Sequence, residues 1–346
     1  MPALQPQQHN HPSSGDLVDA HGRIVSYLRV SVTDRCDLRC HYCMPERMQF
    51  LPKKELLSLE ELERVANIFI DLGVKKIRIT GGEPLVRKNI MHLMESLGER
   101  LHGGGLEELS ITTNATQLRQ FALPLYQAGV RRVNVSLDSL RPERYAEITR
   151  WGKLDAVLEG LQAAKDAGLK VKINCVALKD FNEDEVDTLI QWCAVEDFDL
   201  VFIEVMPMGD LGAQTRFEQF LSVDKLQQKI AERWGLTALS DNTGGPSRYF
   251  RVEALGSRIG FISPLSHRFC ALCNRVRLTC TGVLYTCLGQ EGNKDLRTPL
   301  RSGDNAKEAT LAAIHAALAS KPEGHDFLIA KDRVQETVRY MNTTGG

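Results

Sequence analysis

The sequence predicts an α/β fold, an incomplete (β/α)6 TIM-like barrel, on two observations. Apolar, β-branched runs of strand length recur six times between residues 27 and 206, and patterns with helical spacing separate them. Strands that alternate with helices form right-handed βαβ units around a parallel sheet. Six units are too few for the closed eight-stranded barrel, so we expect an open one. The predicted strands cover residues 27–33, 74–80, 107–113, 131–138, 169–178 and 198–206.

The first 22 residues precede the first strand and differ from the rest of the chain in composition. They are rich in Pro, Gln, His and Ser, and they lack both the cationic start and the apolar core of a signal peptide. We expect residues 1–22 to form a disordered arm.

Two helices between the predicted strands have clear boundaries in the sequence. Ser58 and Glu61 have the spacing of a capping box, apolar residues follow at helical intervals, and Gly73 ends the pattern. A second helical pattern begins at Leu154 and ends at Gly168. Both patterns predict the crossover helices that βαβ units require.

The alternation of strands and helices stops near residue 207. The chain beyond this point is richer in Gly and Pro, has a helical pattern near 305–319 and closes on Gly345-Gly346. We therefore expect a partial barrel over residues 23–206, followed by a C-terminal extension over residues 207–346.

Composition and charge exclude several classes of function. The 346-residue chain has a formal net charge of -1, so it has no general attraction to nucleic acid or to an anionic membrane surface. No apolar run reaches the length of a membrane span, and we expect a cytoplasmic protein. Nine cysteines, an odd number without a secretion signal, favour reduced thiols that bind metal or pack in the core. Cys175 and Cys193, on a predicted strand and a predicted helix, are expected to be core thiols.

Three cysteines lie within eight residues directly after the first predicted strand. Cys36, Cys40 and Cys43 have the spacing CxxxCxxC, on a loop where a barrel places its active site. Three thiolates can hold three irons of a 4Fe-4S cubane and leave the fourth iron open. A structural zinc site would need a fourth ligand, and His41 has poor spacing for that role. Inert core thiols are the remaining alternative.

A second group of three cysteines lies in the C-terminal extension. Cys270 and Cys273 form a CxxC pair, and Cys287 follows after thirteen residues. A second cluster with an open iron fits this spacing. A zinc site with four cysteines fits it equally well, because Cys280 lies between Cys273 and Cys287 and could supply the fourth ligand.

The first cysteine loop and the residues after the second strand resemble motifs of the radical S-adenosylmethionine (SAM) enzymes. In that superfamily a CxxxCxxC loop binds a 4Fe-4S cluster whose open iron is chelated by SAM, and a GGEP segment approaches the SAM amino group. Gly81-Gly82-Glu83-Pro84 matches that segment. The resemblance implies that SAM contacts Tyr42, Gly82, Ser136 and Met206.

The second cysteine group narrows the resemblance. The stretch FCALCNRVRLT, residues 269–279, resembles the C-terminal cluster motif of the GTP 3',8-cyclases (MoaA type) of molybdenum cofactor biosynthesis. The resemblance implies a second 4Fe-4S cluster on Cys270, Cys273 and Cys287, which faces across the barrel mouth and binds the guanine of GTP. Cys280 is outside that motif. The resemblance further implies GTP contacts at Arg29, Arg78, Thr112, Lys172, Arg275 and Arg277, and an active-site tail at Gly345 and Gly346.

The reaction that this resemblance implies is a radical one. A 5'-deoxyadenosyl radical from SAM would take the 3' hydrogen of GTP, and the carbon radical would attack C8, with no side chain acting as a general acid or base. After reduction of the resulting nucleotide radical by one electron and a proton, the product would be (8S)-3',8-cyclo-7,8-dihydroguanosine 5'-triphosphate, the first intermediate towards molybdopterin. Expected partners are GTP, an external electron donor and the downstream cyclic pyranopterin monophosphate synthase. The protein is expected to be a monomer or a homodimer.

Two positions depart from the family pattern. Ala115 stands where family members commonly have glycine, and Val201 stands where they commonly have arginine. The loss of a cation near the barrel mouth predicts a change in substrate affinity or in the position of SAM.

Two other functions remain open from the sequence. One is a radical SAM enzyme that modifies a peptide and carries an auxiliary cluster, which would not need Arg275 and Arg277 for phosphate groups. The other is a non-catalytic iron-sulfur or zinc-binding protein. Dependence on GTP distinguishes the first from the cyclase, and cleavage of SAM distinguishes the second.

Overall fold

Twelve strands form a single sheet in the computed structural model, which describes residues 16–209, 218–240, 244–266, 269–327, 337 and 339–345. The strands are β1 (Tyr27–Ser31), β2 (Lys76–Thr80), β3 (Glu108–Thr113), β4 (Arg132–Ser136), β5 (Lys170–Ala177), β6 (Asp199–Glu204), β7 (Leu236–Ala238), β8 (Arg248–Val252), β9 (Arg258–Ile262), β10 (Arg275–Leu278), β11 (Val283–Tyr285) and β12 (Asn293–Asp295). Their order in the sheet is β12-β11-β10-β1-β2-β3-β4-β5-β6-β9-β8-β7.

The six predicted strands are confirmed as β1 to β6, which lie side by side in chain order and run parallel. Strand β10 adds to β1 in parallel, and β9 adds to β6 in parallel. Antiparallel strands extend both edges. Within the described ranges β9 and β10 do not pair with each other, so the barrel stays open, as predicted. The C-terminal extension thus continues both edges of the barrel sheet rather than forming a separate one.

Helices cover the outside of this sheet. They are α1 (Leu59–Asp71), α2 (Ile90–Glu99), α3 (Leu118–Gln127), α4 (Pro142–Thr149), α5 (Leu154–Asp166), α6 (Val186–Glu196), α7 (Val223–Trp234), α8 (Arg297–Leu300) and α9 (Ala306–Ala319). A last short helix, α10 (Met341–Thr344), belongs to the C-terminal tail. No helix in the described part of the chain has the length and apolarity to cross a bilayer.

The predicted helix boundaries follow from local chemistry. At α1 the Ser58 hydroxyl accepts the amide of Glu61 at 3.1 Å, and the Glu61 carboxylate accepts the amide of Ser58 at 2.8 Å, which confirms the capping box. The other two predicted helices are confirmed as α5 and α9. Cys175 on β5 and Cys193 on α6 are buried, as expected of core thiols.

Part of the predicted N-terminal arm, residues 16–22, lies within the described residues. Residues 1–15 lie outside the described residues, but residues 16–22 are ordered. Val18 pairs with Ile24 in a β-bridge, and the Asp19 carboxylate accepts the amides of His21 and Arg23. Leu17 is buried in the core. An aspartate that closes a turn next to an apolar residue gives this segment both its hydrogen bonds and its packing.

Candidate functional site

A cavity of about 280 Å³ runs through the open barrel, and the predicted site residues line it. Its walls include both three-cysteine groups, all four predicted SAM contacts and all six predicted GTP contacts. These residues are Cys36, Cys40, Cys43, Cys270, Cys273, Cys287, Tyr42, Gly82, Ser136, Met206, Arg29, Arg78, Thr112, Lys172, Arg275 and Arg277. The structure therefore joins residues that lie far apart in the chain into one site.

Strand directions place the two cysteine groups at opposite ends of this cavity. The first cysteine loop, residues 36–43, follows the carboxyl end of β1. Cys273 precedes the amino end of β10, which runs parallel to β1. Cys287 follows β11, which runs antiparallel to β10 and so ends at the same side. The prediction that the second group faces across the barrel mouth is thus wrong: it lies at the amino ends of the parallel strands.

The first cysteine loop is held by hydrogen bonds to its own backbone and to its neighbours. The amide of Leu38 donates to Cys36 Sγ at 3.4 Å, and the amide of Cys43 donates to the Cys40 carbonyl at 2.9 Å. Burial is the main cause of a raised pKa for all three thiols, and it raises that of Cys43 to about 12. Deprotonated sulfurs in such a place need a bound soft cation to compensate their charge. This donor set fits three irons of a cluster.

The described residues contain no group of side chains arranged to bind a single metal ion. No three His, Cys, Asp or Glu side chains there converge closely enough to hold one metal ion. A cubane attaches each thiolate to a different iron, so the arrangement of the cysteines is compatible with a cluster.

Gly81 and Gly82 of the GGEP segment pack directly against the backbone of residues 33–35, which leads into the first cysteine loop. This packing leaves no room for a side chain at either glycine. The amide of Gly82 donates to the Thr33 carbonyl and that of Glu83 to the Arg35 carbonyl, both at 2.8 Å. A Cβ on Gly81 would lie 2.5 Å from the Thr33 carbonyl oxygen, and one on Gly82 would lie 2.3 Å from that of Arg35. This close approach adds a packing reason to the expected contact between this segment and SAM.

Glu83 joins the same segment to β3 and was not singled out from the sequence. Its buried carboxylate accepts the hydroxyl of Thr113 at 2.8 Å and the amides of Asn114 and Leu85 at 2.7 and 3.0 Å. Burial raises its pKa to about 7, although these hydrogen bonds oppose the shift. A glutamate between Gly82 and a proline at a strand end was the available signal.

Ala115 adopts a backbone conformation that favours glycine. Its φ is +64°, in the left-handed region, and its side chain is fully buried. Glycine would adopt this conformation without strain, in agreement with the expected family pattern. Next to it, the Asn114 amide group donates to the Asp37 carboxylate at 2.7 Å. This hydrogen bond connects the turn at Asn114 and Ala115 to the first cysteine loop.

Tyr42 is held at the carboxyl ends of the strands by an aspartate that the sequence reasoning did not single out. Its hydroxyl donates to Asp138 Oδ2 at 2.6 Å, and Asp138 Oδ1 accepts the amide of Val176 at 2.8 Å. Burial raises the pKa of Asp138 to about 6, against the effect of these two bonds. The tyrosine ring thereby has a fixed place in the wall near Ser136.

Three arginines form a row across neighbouring parallel strands. Arg277 on β10 is in register with Arg29 on β1, and Arg29 is in register with Arg78 on β2. We name these three residues the arginine row. Like charges opposite each other on a sheet destabilise it. In the described part of the chain no carboxylate lies within ion-pair distance of the row, so its charges need an anionic ligand.

Burial makes the uncompensated positive charges at this site more costly. Arg29 and Arg78 are 8% and 6% exposed, and the Nε of each lacks a hydrogen-bond partner among the described residues. Burial lowers the pKa of Arg29 to about 10, with Tyr27 opposing the shift and Arg78 adding to it. Burial, reinforced by Arg78, also lowers the pKa of Lys172 on β5 well below its usual range. A bound polyanion would relieve both effects.

Polar atoms without partners lie next to these cations. The hydroxyl of Thr112 on β3 and the side-chain oxygen of Asn174 on β5 are buried, and no described residue bonds to them. Both residues line the cavity, although sequence reasoning found only Thr112. Buried polar atoms are rarely left unpaired, so these two point to a polar ligand.

The second cysteine group has cationic neighbours. Lys321 Nζ donates to Cys273 Sγ at 3.5 Å. Burial raises the pKa of the Cys273 thiol, but Arg275 and Lys321 outweigh it and bring the pKa to about 7. Cys280 is fully buried and does not line the cavity, so it lies apart from the other three cysteines.

The C-terminal tail enters the site. The Gly345 carbonyl accepts Arg277 Nη1 at 2.7 Å, and the Asn342 side chain donates to the Asp34 carbonyl at 2.8 Å. Gly345 has a φ of +72°, and a Cβ there would lie 2.2 Å from Cγ2 of Thr80. Only glycine fits this place. Gly346 lies outside the described residues.

Two family models match the chain. Residues 30–193 match the Radical SAM superfamily, and residues 198–327 match Molybdenum Cofactor Synthesis C. Among solved structures, Streptococcus suis SuiB bound to S-adenosylmethionine has a TM-score of 0.58 and 16% identity over 87% of this chain and 69% of that one. Native anSMEcpe with bound AdoMet has a TM-score of 0.56 and 16% identity over 89% and 84%. These two likenesses concern the fold.

Curated relatives match over almost the whole length. The GTP 3',8-cyclase of Paracoccus denitrificans (strain Pd 1222) is 57% identical over 332 residues, which are 95% of this chain and 96% of that one. The GTP 3',8-cyclase of Bradyrhizobium diazoefficiens is 54% identical over 335 residues, or 96% of both chains. The chain therefore belongs to the GTP 3',8-cyclase family, and its barrel is that of the radical SAM superfamily.

Proposed function

We propose that this protein is a radical SAM GTP 3',8-cyclase that binds GTP and SAM together in the barrel cavity. The observation that carries this proposal is the arginine row, which lies between two three-cysteine groups and has no carboxylate partner among the described residues. The product would be (8S)-3',8-cyclo-7,8-dihydroguanosine 5'-triphosphate, formed in the first step of molybdenum cofactor biosynthesis.

The cysteine groups would hold the two 4Fe-4S clusters. Cys36, Cys40 and Cys43 fit the first, and Cys270, Cys273 and Cys287 fit the second, because each set presents three soft thiols to the cavity. When bound, the first cluster and SAM supply the radical, and the second cluster supplies an open iron for the guanine. Cys280 is not part of either set.

The chain's own work is to bind and orient the nucleotide. The arginine row, with Arg275 and Lys172, would hold the triphosphate through charge-assisted hydrogen bonds, and guanidinium groups can bind phosphate oxygens in pairs. Thr112 and Asn174 would bond to the ribose hydroxyls through their unpaired oxygens. Fixing the nucleotide at both ends places C3' and C8 within reach of each other and of SAM.

The chain must also exclude other reactants from the cavity. Tyr42, Gly82, Ser136 and Met206 would bind SAM at the carboxyl ends of the strands. The tail at Gly345, with Gly346 beyond it, would close the cavity beside the arginine row. A closed site protects a carbon radical from side reactions, because such a radical attacks whatever lies nearest.

The same proposal requires partners outside the chain. A one-electron donor must reduce the first cluster, and the product must pass to a cyclic pyranopterin monophosphate synthase. We propose that these steps take place in the cytoplasm.

Nucleotide dependence of SAM cleavage tests the proposed function. Iron-loaded protein would be incubated anaerobically with SAM, a chemical reductant and either GTP, guanosine or no nucleotide, and 5'-deoxyadenosine would be measured. We expect GTP to stimulate its formation strongly and guanosine at the same concentration to have little effect, since guanosine lacks the phosphates. SAM cleavage that is indifferent to GTP would point instead to a peptide or another substrate.

A further inference from the structure

We propose that Tyr249 is a positioning residue that holds Lys172 for the nucleotide. Lys172 Nζ donates to the Tyr249 hydroxyl at 2.9 Å, and the two residues are 4% and 2% exposed. Tyr249 does not line the cavity itself, so it acts through the lysine. This inference rests on the proposed function, because it assigns Lys172 to GTP.

The tyrosine ring reaches the lysine across two intervening strands. Val201 on β6, Gly260 on β9 and Tyr249 on β8 are in register with one another, and Lys172 lies on β5 beyond them. A Cβ on Gly260 would lie 3.0 Å from Cε1 of Tyr249 and 3.1 Å from Cγ2 of Val201. The Tyr249 ring therefore lies over Gly260, which has no side chain, and packs beside the short side chain of Val201.

This packing gives the departure at Val201 a physical consequence. Val201 is fully buried, and its side chain shares the space above Gly260 with the Tyr249 ring. A longer side chain at 201 would compete with the ring for that space. The short side chain of Val201 thus leaves room for the tyrosine whose hydroxyl bonds to Lys172.

Burial and the neighbouring arginines lower the pKa of Lys172 and outweigh Asp199, which raises it, so the lysine's charge is not fully compensated within the fold. Asp199 on β6 is in register with Lys172, but both of its oxygens accept from Arg258, whose Nε lies 2.9 Å from Oδ1. The Arg258 guanidinium also covers the Tyr249 ring at 4.7 Å from its centroid, which fixes the ring. A neutral hydroxyl can orient an ammonium group without neutralising it, whereas a carboxylate would do both.

A double-mutant cycle on the iron-loaded enzyme tests this inference. GTP affinity would be measured by anaerobic calorimetry for Tyr249→Phe, Lys172→Met and the double variant, with Tyr126→Phe on α3 as the matched control. We expect Lys172→Met to weaken GTP binding at least ten-fold, and Tyr249→Phe to weaken it about three- to ten-fold, the range of one hydrogen bond. The double variant should bind GTP as weakly as Lys172→Met, because in this proposal the tyrosine affects GTP binding through the lysine.

A merely structural role would give a different pattern. Tyr249→Phe should lose the stability of one buried hydrogen bond, but its SAM affinity should equal that of the Tyr126→Phe control. Gly260→Ala, which pushes a methyl group into the ring, should weaken GTP binding as Tyr249→Phe does. Unchanged GTP affinity in Tyr249→Phe beside a clear loss in Lys172→Met would overturn the inference and leave the proposed function intact. Unchanged GTP affinity in Lys172→Met would overturn both the inference about Tyr249 and the proposed assignment of Lys172 to GTP.

Discussion

Replacing Gly82 with alanine is expected to disrupt the first cysteine loop without disturbing the rest of the barrel. The new methyl carbon would lie 2.3 Å from the Arg35 carbonyl oxygen and 2.9 Å from that of Asp34. Both are backbone atoms, which cannot move aside as a flexible side chain can. The entry into the loop must therefore shift away from β2.

The size of the effect follows from what this shift removes. Overpacking a tight contact costs about 1–3 kcal/mol. The two hydrogen bonds that join the GGEP segment to Thr33 and Arg35 would lengthen, and each is worth about 0.5–1.5 kcal/mol. We expect a loss of about 2–6 kcal/mol in urea unfolding, or an equivalent loss of order confined to the loop that carries Cys36, Cys40 and Cys43.

Two measurements distinguish a global loss of stability from a loss of order confined to the first cysteine loop. Urea unfolding followed by circular dichroism gives the global free energy, and iron content with SAM affinity reports on the loop. The matched control is Gly292→Ala, because a Cβ at Gly292 meets nothing within 4 Å. If Gly82→Ala matched this control in stability, iron content and SAM affinity alike, the packing argument would be refuted.

Three further predictions follow from buried charges and thiols. Arg78→Met should weaken GTP binding at least ten-fold yet stabilise the nucleotide-free protein to urea, because it removes a buried cation in register with Arg29. The raised pKa of Asp138, about 6, means that the folded state binds an extra proton between about pH 4 and pH 6, so its stability falls as the pH rises through that window. Asp138→Asn should remove a fall on the order of 3 kcal/mol, measured by urea unfolding at several pH values. Cys280→Ala should keep the full iron content after reconstitution, whereas Cys287→Ala should lose about four irons.

Each of these has a result that contradicts it. A nucleotide-free Arg78→Met variant less stable than the parent would mean that the arginine is compensated within the fold. Equal pH dependence in Asp138→Asn and the parent would show that this carboxyl titrates normally. Iron loss in Cys280→Ala comparable to that in Cys287→Ala would restore the four-cysteine alternative for the second site.

Local patterns in the sequence were sufficient for the barrel strands and their helices. Strands β1 to β6 carry continuous β-branched runs, and the start of α1 is encoded within four residues by Ser58 and Glu61. Strands β9 and β10 were not predicted, because their partners, β6 and β1, are far away in the chain. The position of the second cysteine group at the amino ends depends on that pairing.

Motifs identified the residues that face the cavity, but not those that hold them. The cysteines and arginines stand in recognisable spacing, and the structure brings them together. Asp138 and Tyr249 act through partners on other strands, so no local pattern marks them. The short ordered segment at 16–22 was missed because composition was averaged over the whole arm.

The measurement that tests the central proposal most directly is hydrogen transfer from the ribose of GTP. Iron-loaded protein would be incubated anaerobically with SAM, a reductant and GTP deuterated at C3', and the 5'-deoxyadenosine would be analysed by mass spectrometry. The proposal predicts one deuterium in the 5'-deoxyadenosine and a cyclised nucleotide as product. Formation of 5'-deoxyadenosine without deuterium, at a rate independent of GTP, would contradict the assignment of the cavity to GTP.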